Sequence, residues 1–189
     1  LLSLTAIIVT QRSAIDAAAK QNLLSYAQGS YLDALGLLLN VERLAESKAV
    51  TTMRFTLSRA QGEVVTIPSG TEVTNGTVTF ATTQDLDIPV GSLTGDVQAE
   101  CTSSGPAGND FLAGQINVIV KPQTFVASAE NVTITSGGAS AESDLDYANR
   151  IRLAPNSFSV AGPEKAYIFH AKSVSSAIID VCIDSPTPG

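Results

Sequence analysis

The chain has 189 residues, 44% of them hydrophobic and 15% charged, enough to bury a real core in one large domain or in two to three small ones. Its 11 Lys and Arg stand against 18 Asp and Glu, a net charge of −7. That balance disfavours partners that present phosphate, whether nucleic acid or an anionic membrane surface.

The opening Leu-Leu-Ser-Leu-Thr-Ala-Ile-Ile-Val-Thr is too short to span a bilayer and lacks the basic flank and small-residue cleavage site of a signal peptide. It is expected in the core. Leu4, Ile8, Ile15, Ala19, Leu23 and Tyr26 recur at helical spacing on one face, with Arg12, Asp16, Lys20 and Asn22 largely elsewhere, and Gly29 is a natural stop. Ser30 with Asp33 resembles a capping start for a second helix, Tyr31 to Leu39. Its Leu32, Leu35, Leu38 and Leu39 need a partner, for which another helix is simplest; an assembly surface is the alternative.

From Thr51 the period changes to two. Met53, Phe55 and Leu57 alternate with Thr52, Arg54 and Thr56, and Val65 and Ile67 lead into a Pro68-Ser69-Gly70 turn. Val73, Asn75-Gly76, Val78 and Phe80 spell a hairpin. Turns are expected at Pro89-Val90-Gly91 and Thr94-Gly95. Val97, Ala99 and Cys101 then alternate into a glycine-rich connection, and Ile116, Val118 and Val120 resume the strand pattern up to Pro122. Gly105, Gly108 and Gly114 suit positive φ or close backbone approach, and Asn109 is expected to bond its own loop, so this loop reads as shaped. Phe125-Val126 and Val132 to Ile134 complete a set of short strands suited to a small sandwich or a barrel-like sheet.

Ser136-Gly137-Gly138 marks a boundary. Glu142, Asp144 and Asp146 then load the first turn of a helix ending with Arg150 and Arg152 before Pro155, matching the helix dipole at both ends. Gly162-Pro163-Glu164 opens another, with Pro at its first position and Tyr167, Ile168, Ala171 and Val174 as apolar positions. Ala177 to Ile183 reads as a buried strand, and Pro186 to Gly189 as a turn toward a partner strand. Beginning without Met and stopping there, the chain reads as a fragment of a longer one.

No reactive constellation is legible. His170 stands alone in a helix without ligands at metal spacing. Alternating Glu142, Asp144 and Asp146 lack the glycine and distal Glu of a calcium loop and read as helix capping. Cys101 and Cys182 are expected as two buried thiols. The sequons at Asn75 and Asn131 read as a hairpin turn and a strand start. Phosphate loop, dinucleotide fingerprint and nucleophile elbow are all missing. A sugar-binding surface is weakened by the lack of Trp.

Several stretches together resemble the baseplate J-like family of contractile-tailed phages and related tail-like particles. They are Val65-Thr66-Ile67-Pro68-Ser69-Gly70-Thr71 with Phe80-Ala81-Thr82, Gly105-Pro106-Ala107-Gly108-Asn109 with Gly114-Gln115-Ile116, and Ser136-Gly137-Gly138 with Glu142-Ser143-Asp144 and Arg150-Ile151-Arg152. Phe158-Ser159-Val160-Ala161-Gly162 ahead of Ala166-Tyr167 continues the match, and Tyr26 to Leu35 looks like the family's lead-in. The resemblance implies a non-catalytic baseplate wedge component placed around the central hub, touching a neighbouring wedge protein and further copies of itself. It further implies a place in the virion tail, after assembly in the bacterial host cytoplasm. Family members usually continue past the final Pro-Gly.

The expected architecture is α+β: N-terminal helices over 1–49, a central small β-sandwich or barrel-like domain over 50–138, and a partial C-terminal α/β module over 139–189. No enzyme, cofactor, metal site, nucleic acid, membrane or small-molecule substrate is expected. The rival readings are a β-sandwich adhesion or glycan-binding domain of a virion or cell surface, and a hydrolase whose site lies outside the fragment.

Overall fold

The computed structural model describes residues 2–159 and 162–184. By contact the chain divides into two compact units, Leu1–Ala45 with Ala141–Gly189, and Glu46–Ser140.

The second unit is the β region, and its period-two pattern explains its architecture. Strand β1 (Lys48–Leu57) turns Ala49, Thr51, Met53, Phe55 and Leu57 inward at alternate positions. The remaining strands are β2 (Val65–Ile67), β3 (Glu72–Thr74), β4 (Thr79–Thr82), β5 (Leu86–Ile88), β6 (Thr94–Ser104), β7 (Val118–Ile119) and β8 (Val126–Asn131). Six strands form one antiparallel sheet in the order β7-β3-β4-β6-β1-β8, while β2 and β5 pair as a separate ribbon. In the sheet Phe55 lies opposite Gly95 on one side and Ala129 on the other. Register shifts near the start of β1 against β6 and near its end against β8 bend the sheet.

The sheet curls until its ends nearly meet. Asn131 N–H donates to the Ile116 carbonyl at 3.1 Å, Gly114 N–H to the Asn131 carbonyl at 2.7 Å, and Ile116 N–H to Asn131 Oδ1 at 2.9 Å. These bonds join the approach to β7 with the last residue of β8, giving a nearly closed barrel. Phe55, Phe80, Met53, Val73, Ile116 and Cys101 fill it together with Ile67 and Ile88 from the ribbon. At the β3–β4 hairpin, Asn75 Oδ1 accepts from the N–H groups of Thr77 and Val78, and Gly76 takes φ +89°.

Three β expectations change. Thr94-Gly95 begins β6 instead of turning, and a Cβ on Gly95 would stand 2.9 Å from Ile88 Cγ1, so its bareness serves packing against β5. Val132 to Ile134 forms no strand, because the ladder stops at Asn131, whose side chain takes over the hydrogen bonding. Asn131 therefore ends a strand instead of starting one.

The first unit is helical: α1 (Leu2–Lys20), α2 (Gly29–Leu37), α3 (Asp144–Leu153), a 3-10 turn over Ala154–Phe158, and α4 (Glu164–Lys172). Ala27, Leu32, Val41, Tyr147, Ala148, Ile151 and Ala154 form its core. Ser143 caps α3, its Oγ accepting from Asp146 N–H at 3.1 Å, as S-x-x-D spacing requires. The order of elements, helices then a barrel-like sheet then helices, is the expected α+β class.

Several helical expectations are overturned. The face of α1 is not core: Leu4 is 59% and Ile15 68% exposed, and Leu23 and Tyr26 lie exposed beyond the helix. Helical spacing defines a face without supplying what covers it. Gly29, at φ +52°, opens α2 instead of stopping α1, and Gln28, not Ser30, precedes it without a side-chain cap. Leu38 is exposed. In α4, Pro163 sits one position before the helix and Ala166 is the buried residue, while Tyr167 and Val174 are exposed. Residues 177–184 form no strand and Ile179 is 87% exposed, since a short apolar run without a ladder partner has nothing to pair with. The expected turn from Pro186 to Gly189 lies outside the described residues.

Candidate functional site

The densest polar arrangement lies in the helical unit and begins with a charge on an apolar stripe. Along α3, Tyr147, Ile151 and Ala154 point into the core at spacings of four and three, and Arg150 shares their face. A buried guanidinium needs a counter-charge and full hydrogen bonding. Glu142, just outside the helix, supplies the charge and two of the bonds: Arg150 Nε donates to Oε1 at 2.8 Å and Nη2 to Oε2 at 2.6 Å, a bidentate pair. Arg150 is 4% and Glu142 6% exposed. Glu142 Oε2 also accepts from Leu44 N–H at 3.0 Å, and Arg150 Nη2 donates to the Glu42 carbonyl.

A second guanidinium flanks the first. Arg43 Nε donates to Asp33 Oδ1 at 2.9 Å and Nη1 to the Glu142 carbonyl at 3.0 Å, while Nη2 lies 2.7 Å from Asp144 Oδ1 as an ion pair without hydrogen-bond alignment. Asp144 Oδ2 accepts from Gly29 N–H at 3.1 Å. That backbone bond first, and then the Arg43 guanidinium, hold the Asp144 carboxyl below the ordinary carboxylate range. The Tyr147 ring sits near both cations, 4.7 Å from Arg43 Cζ and 5.5 Å from Arg150 Cζ, and its hydroxyl donates to the Val41 carbonyl at 2.7 Å. Burial, and then the Asp33 charge, push the Tyr147 phenol up. Gly36 makes room, since a Cβ there would collide with the Tyr147 hydroxyl.

This clasp fastens α2 and residues 41–44 to the start of α3. It holds no nucleophile beside a base, and every carboxylate in it is committed to a cation or a backbone N–H. Glu142 is therefore no helix cap but one half of a buried pair, a correction to its reading with Asp144 and Asp146. Asp144 serves Arg43 and Gly29, and Asp146 accepts from Ser143 Oγ at 2.5 Å. Sequence reading missed Arg43 and Tyr147 and read Arg150 only as a charge in the last turn of its helix, where it does stand; the available signal for its pairing was its place on the apolar face.

The remaining candidates are scattered. His170 is exposed on α4, its ring edge-on to Phe169 at 5.4 Å. Cys101 is buried in the barrel, but Cys182 is exposed, so the expectation of two buried thiols fails for it; both are free. Among the described residues no group of three or more His, Cys, Asp or Glu is placed to hold a metal, and no described helix is long and apolar enough to cross a membrane.

The glycine-rich loop is shaped, with Gly105 at φ +97° and Gly114 at φ +81°. Gly108 instead serves close approach, because a Cβ would stand 2.9 Å from the Ala49 Cβ and 3.0 Å from Cys101 Sγ. Asn109 bonds its own loop only through its backbone N–H, which donates to the Pro106 carbonyl at 3.0 Å, and its side chain does not. Its amide reaches Gly138, donating to the carbonyl at 2.7 Å and accepting from the N–H at 2.9 Å.

Helix α1 carries an exposed apolar face. Leu4, Ile7, Ile8, Val9 and Ile15 are all exposed, and the helix's one ion pair, Lys20 with Asp16, is internal to it. A helix with this face exposed draws little stability from its own unit.

Comparison with known proteins matches residues 52–138 to the family model of the baseplate J-like protein barrel domain, and residues 7–49 to that of the baseplate J-like N-terminal domain. Baseplate protein J of Escherichia phage P2 is 37% identical over 82 residues, which are 43% of this chain and 27% of that protein. Among solved structures, the cryo-EM structure of the anti-feeding prophage baseplate, 6-fold symmetrised, matches with a TM-score of 0.43 at 12% identity, covering 79% of this chain and 45% of that one. The matched stretch thus spans about a quarter of the P2 protein.

Proposed function

The chain belongs to the baseplate J-like family, and from that membership we propose that it is a structural, non-catalytic component of the baseplate of a contractile phage tail or prophage-derived tail particle. In this reading it is a wedge component around the central hub, held by a neighbouring wedge protein and by further copies of itself. It is assembled in the bacterial cytoplasm and carried in the virion tail. The family match across the barrel carries the proposal.

Two physical features support it. The carboxylates of the most polar cluster are spent on internal pairing, as suits a scaffold. The apolar side chains of α1 lie uncovered within the chain, as suits a helix that contributes to a larger assembly. We read segments 1–49, 50–138 and 139–189 as the functional divisions, the first and third closing on each other through the clasp.

The test is made in the particle. Removing the gene should arrest tail assembly before complete baseplates form, and Ile8→Asp with Ile15→Asp should leave a folded chain that fails to enter particles. Complete, contractile particles without the protein would overturn the assignment. Normal incorporation of the α1 variant would remove that helix from the assembly contacts.

A further inference from the structure

Arg150 is more deeply buried than its bonding explains. Of the five N–H groups of a guanidinium, Nε–H and one Nη2 hydrogen go to Glu142, and the other Nη2 hydrogen goes to the Glu42 carbonyl. Nη1 has no acceptor among the described residues, although Arg150 is only 4% exposed. An unused donor on a buried cation is costly unless an acceptor reaches it.

Arg150 lines a cavity of about 290 Å³ between α3 and the segment that begins at the end of α4. The other polar groups on its wall divide by what they still offer. Their acceptors are engaged: Glu142 holds Arg150 with both oxygens and takes the Leu44 N–H, and Asp146 accepts from Ser143 Oγ. Asn149 Oδ1 likewise accepts from Arg152 Nη1, which leaves its Nδ2 to donate. Lys172 Nζ donates to the Ile179 carbonyl at 2.9 Å and has no carboxylate partner among the described residues. The cavity thus presents mainly donors, two of them cations, beside the aliphatic side chains of Ile178 and Ile179.

We infer that this cavity is a binding site for a carboxylate carried on a short branched aliphatic stem. Arg150 Nη1 and Lys172 Nζ donate to the acid oxygens in charge-assisted bonds, which a carboxylate accepts better than a neutral carbonyl does. Ile178 and Ile179 take the stem. Because Glu142 already fixes the Arg150 guanidinium in place, little ordering is lost when the acid arrives. A free small acid and the last residue of a peptide ending in leucine or valine present the same chemistry. The site rests on the helical unit alone and stands or falls independently of the baseplate assignment.

Titration of the nitrogen-15-labelled full chain with isovalerate, followed at the Arg150 Nε–H and at the Ser175 and Ile178 amides, tests the inference. Those signals should shift saturably in the millimolar range, as suits so small a ligand, while the Phe55 and Phe80 amides stay still. Isovaleramide, the same stem without the charge, should bind about tenfold more weakly. Lys172→Met should weaken isovalerate severalfold and leave isovaleramide nearly unaffected. N-acetyl-leucine separates the two sources: binding tighter than that of isovalerate assigns the site to a peptide terminus, and weaker binding assigns it to a free acid. Equal affinity for acid and amide, wild-type affinity for isovalerate in Lys172→Met, a loss in that variant shared equally by the amide, or no saturable shift at these signals would overturn the inference.

Discussion

The barrel and the helical unit bury polar groups by opposite means. In the barrel they are neutral and satisfied largely by main chain: Thr51 Oγ1 donates to the Thr133 carbonyl at 2.9 Å, and the Asn131 amide donates to the carbonyls of Leu112 and Thr133 while its oxygen accepts from Ile116 N–H. In the helical unit they are the ions of the Glu142–Arg150 pair. The difference follows from what each has to hold. Ladder bonds already join the barrel strands, so side chains only plug the seams. No ladder joins α2 to α3, and a small apolar core leaves the clasp to set their register.

The contrast is broken most directly by Glu142→Ala, which strands Arg150 in the core and should destabilise the helical unit by ~3–5 kcal/mol in denaturant unfolding. Glu142→Met with Arg150→Met should recover most of that loss; failure to recover would mean that the charges do more than balance each other. In the barrel, packing is the corresponding lever. Gly108→Val forces a side chain against Ala49 and Cys101 and should cost ~1–3 kcal/mol, with Ser103→Ala as a near-silent control on the denaturation midpoint. Thr51→Val keeps the shape and removes two neutral hydrogen bonds, to the Thr133 carbonyl and hydroxyl, for a loss of about 1–2 kcal/mol.

The smallest effect distinguishes surface charge from clasp charge. Asp96 and Arg54 pair in the open on the barrel, and the bond from Arg54 lowers the Asp96 carboxyl. Asp144 is lowered as well, by Gly29 and Arg43. Each contributes stability that is present above the ordinary value of 3.8 and fades as the pH falls through its own lowered value. Asp144→Asn should therefore flatten the acid limb of thermal unfolding for the helical unit, whereas Asp96→Asn should leave the midpoint near neutral pH unchanged within error, because exposed pairs are screened. A large shift for Asp96→Asn would erase the distinction.

The parts legible in the sequence were those encoded locally. Met53, Phe55 and Leu57, then Val97, Ala99 and Cys101, show period two because a pleat needs only neighbours to declare itself. Asp144 and Asp146 in the first turn, with Arg150 and Arg152 in the last, announced α3 for the same reason. The illegible parts depended on distant partners. Nothing near Arg43 says that Asp33 and Asp144 converge on it, and Glu142 looks like a first-turn acid until Arg150 is seen on the buried face. The periodicity of α1 described its face correctly and its burial wrongly. The run from Ala177 to Ile183 has the composition of a strand, but composition cannot provide the ladder.

The barrel is threaded in and out at one place. Ser47 N–H donates to the Ala139 carbonyl at 2.9 Å, Ala139 N–H returns to Ser47 at 3.2 Å, and Val50 and Ser136 exchange a similar pair. Asn109 and Gly138 lock the outgoing strand just beside them. Incoming and outgoing ends so close together make the barrel a cassette: it can be lifted from its host chain and closed by a short turn between residues 46 and 140, or its ends can be joined and reopened at the Asn75-Gly76 tip. Domains with neighbouring termini tolerate such transplantation, and lengthening a barrel hairpin would alter the cassette without lengthening the path between its two ends.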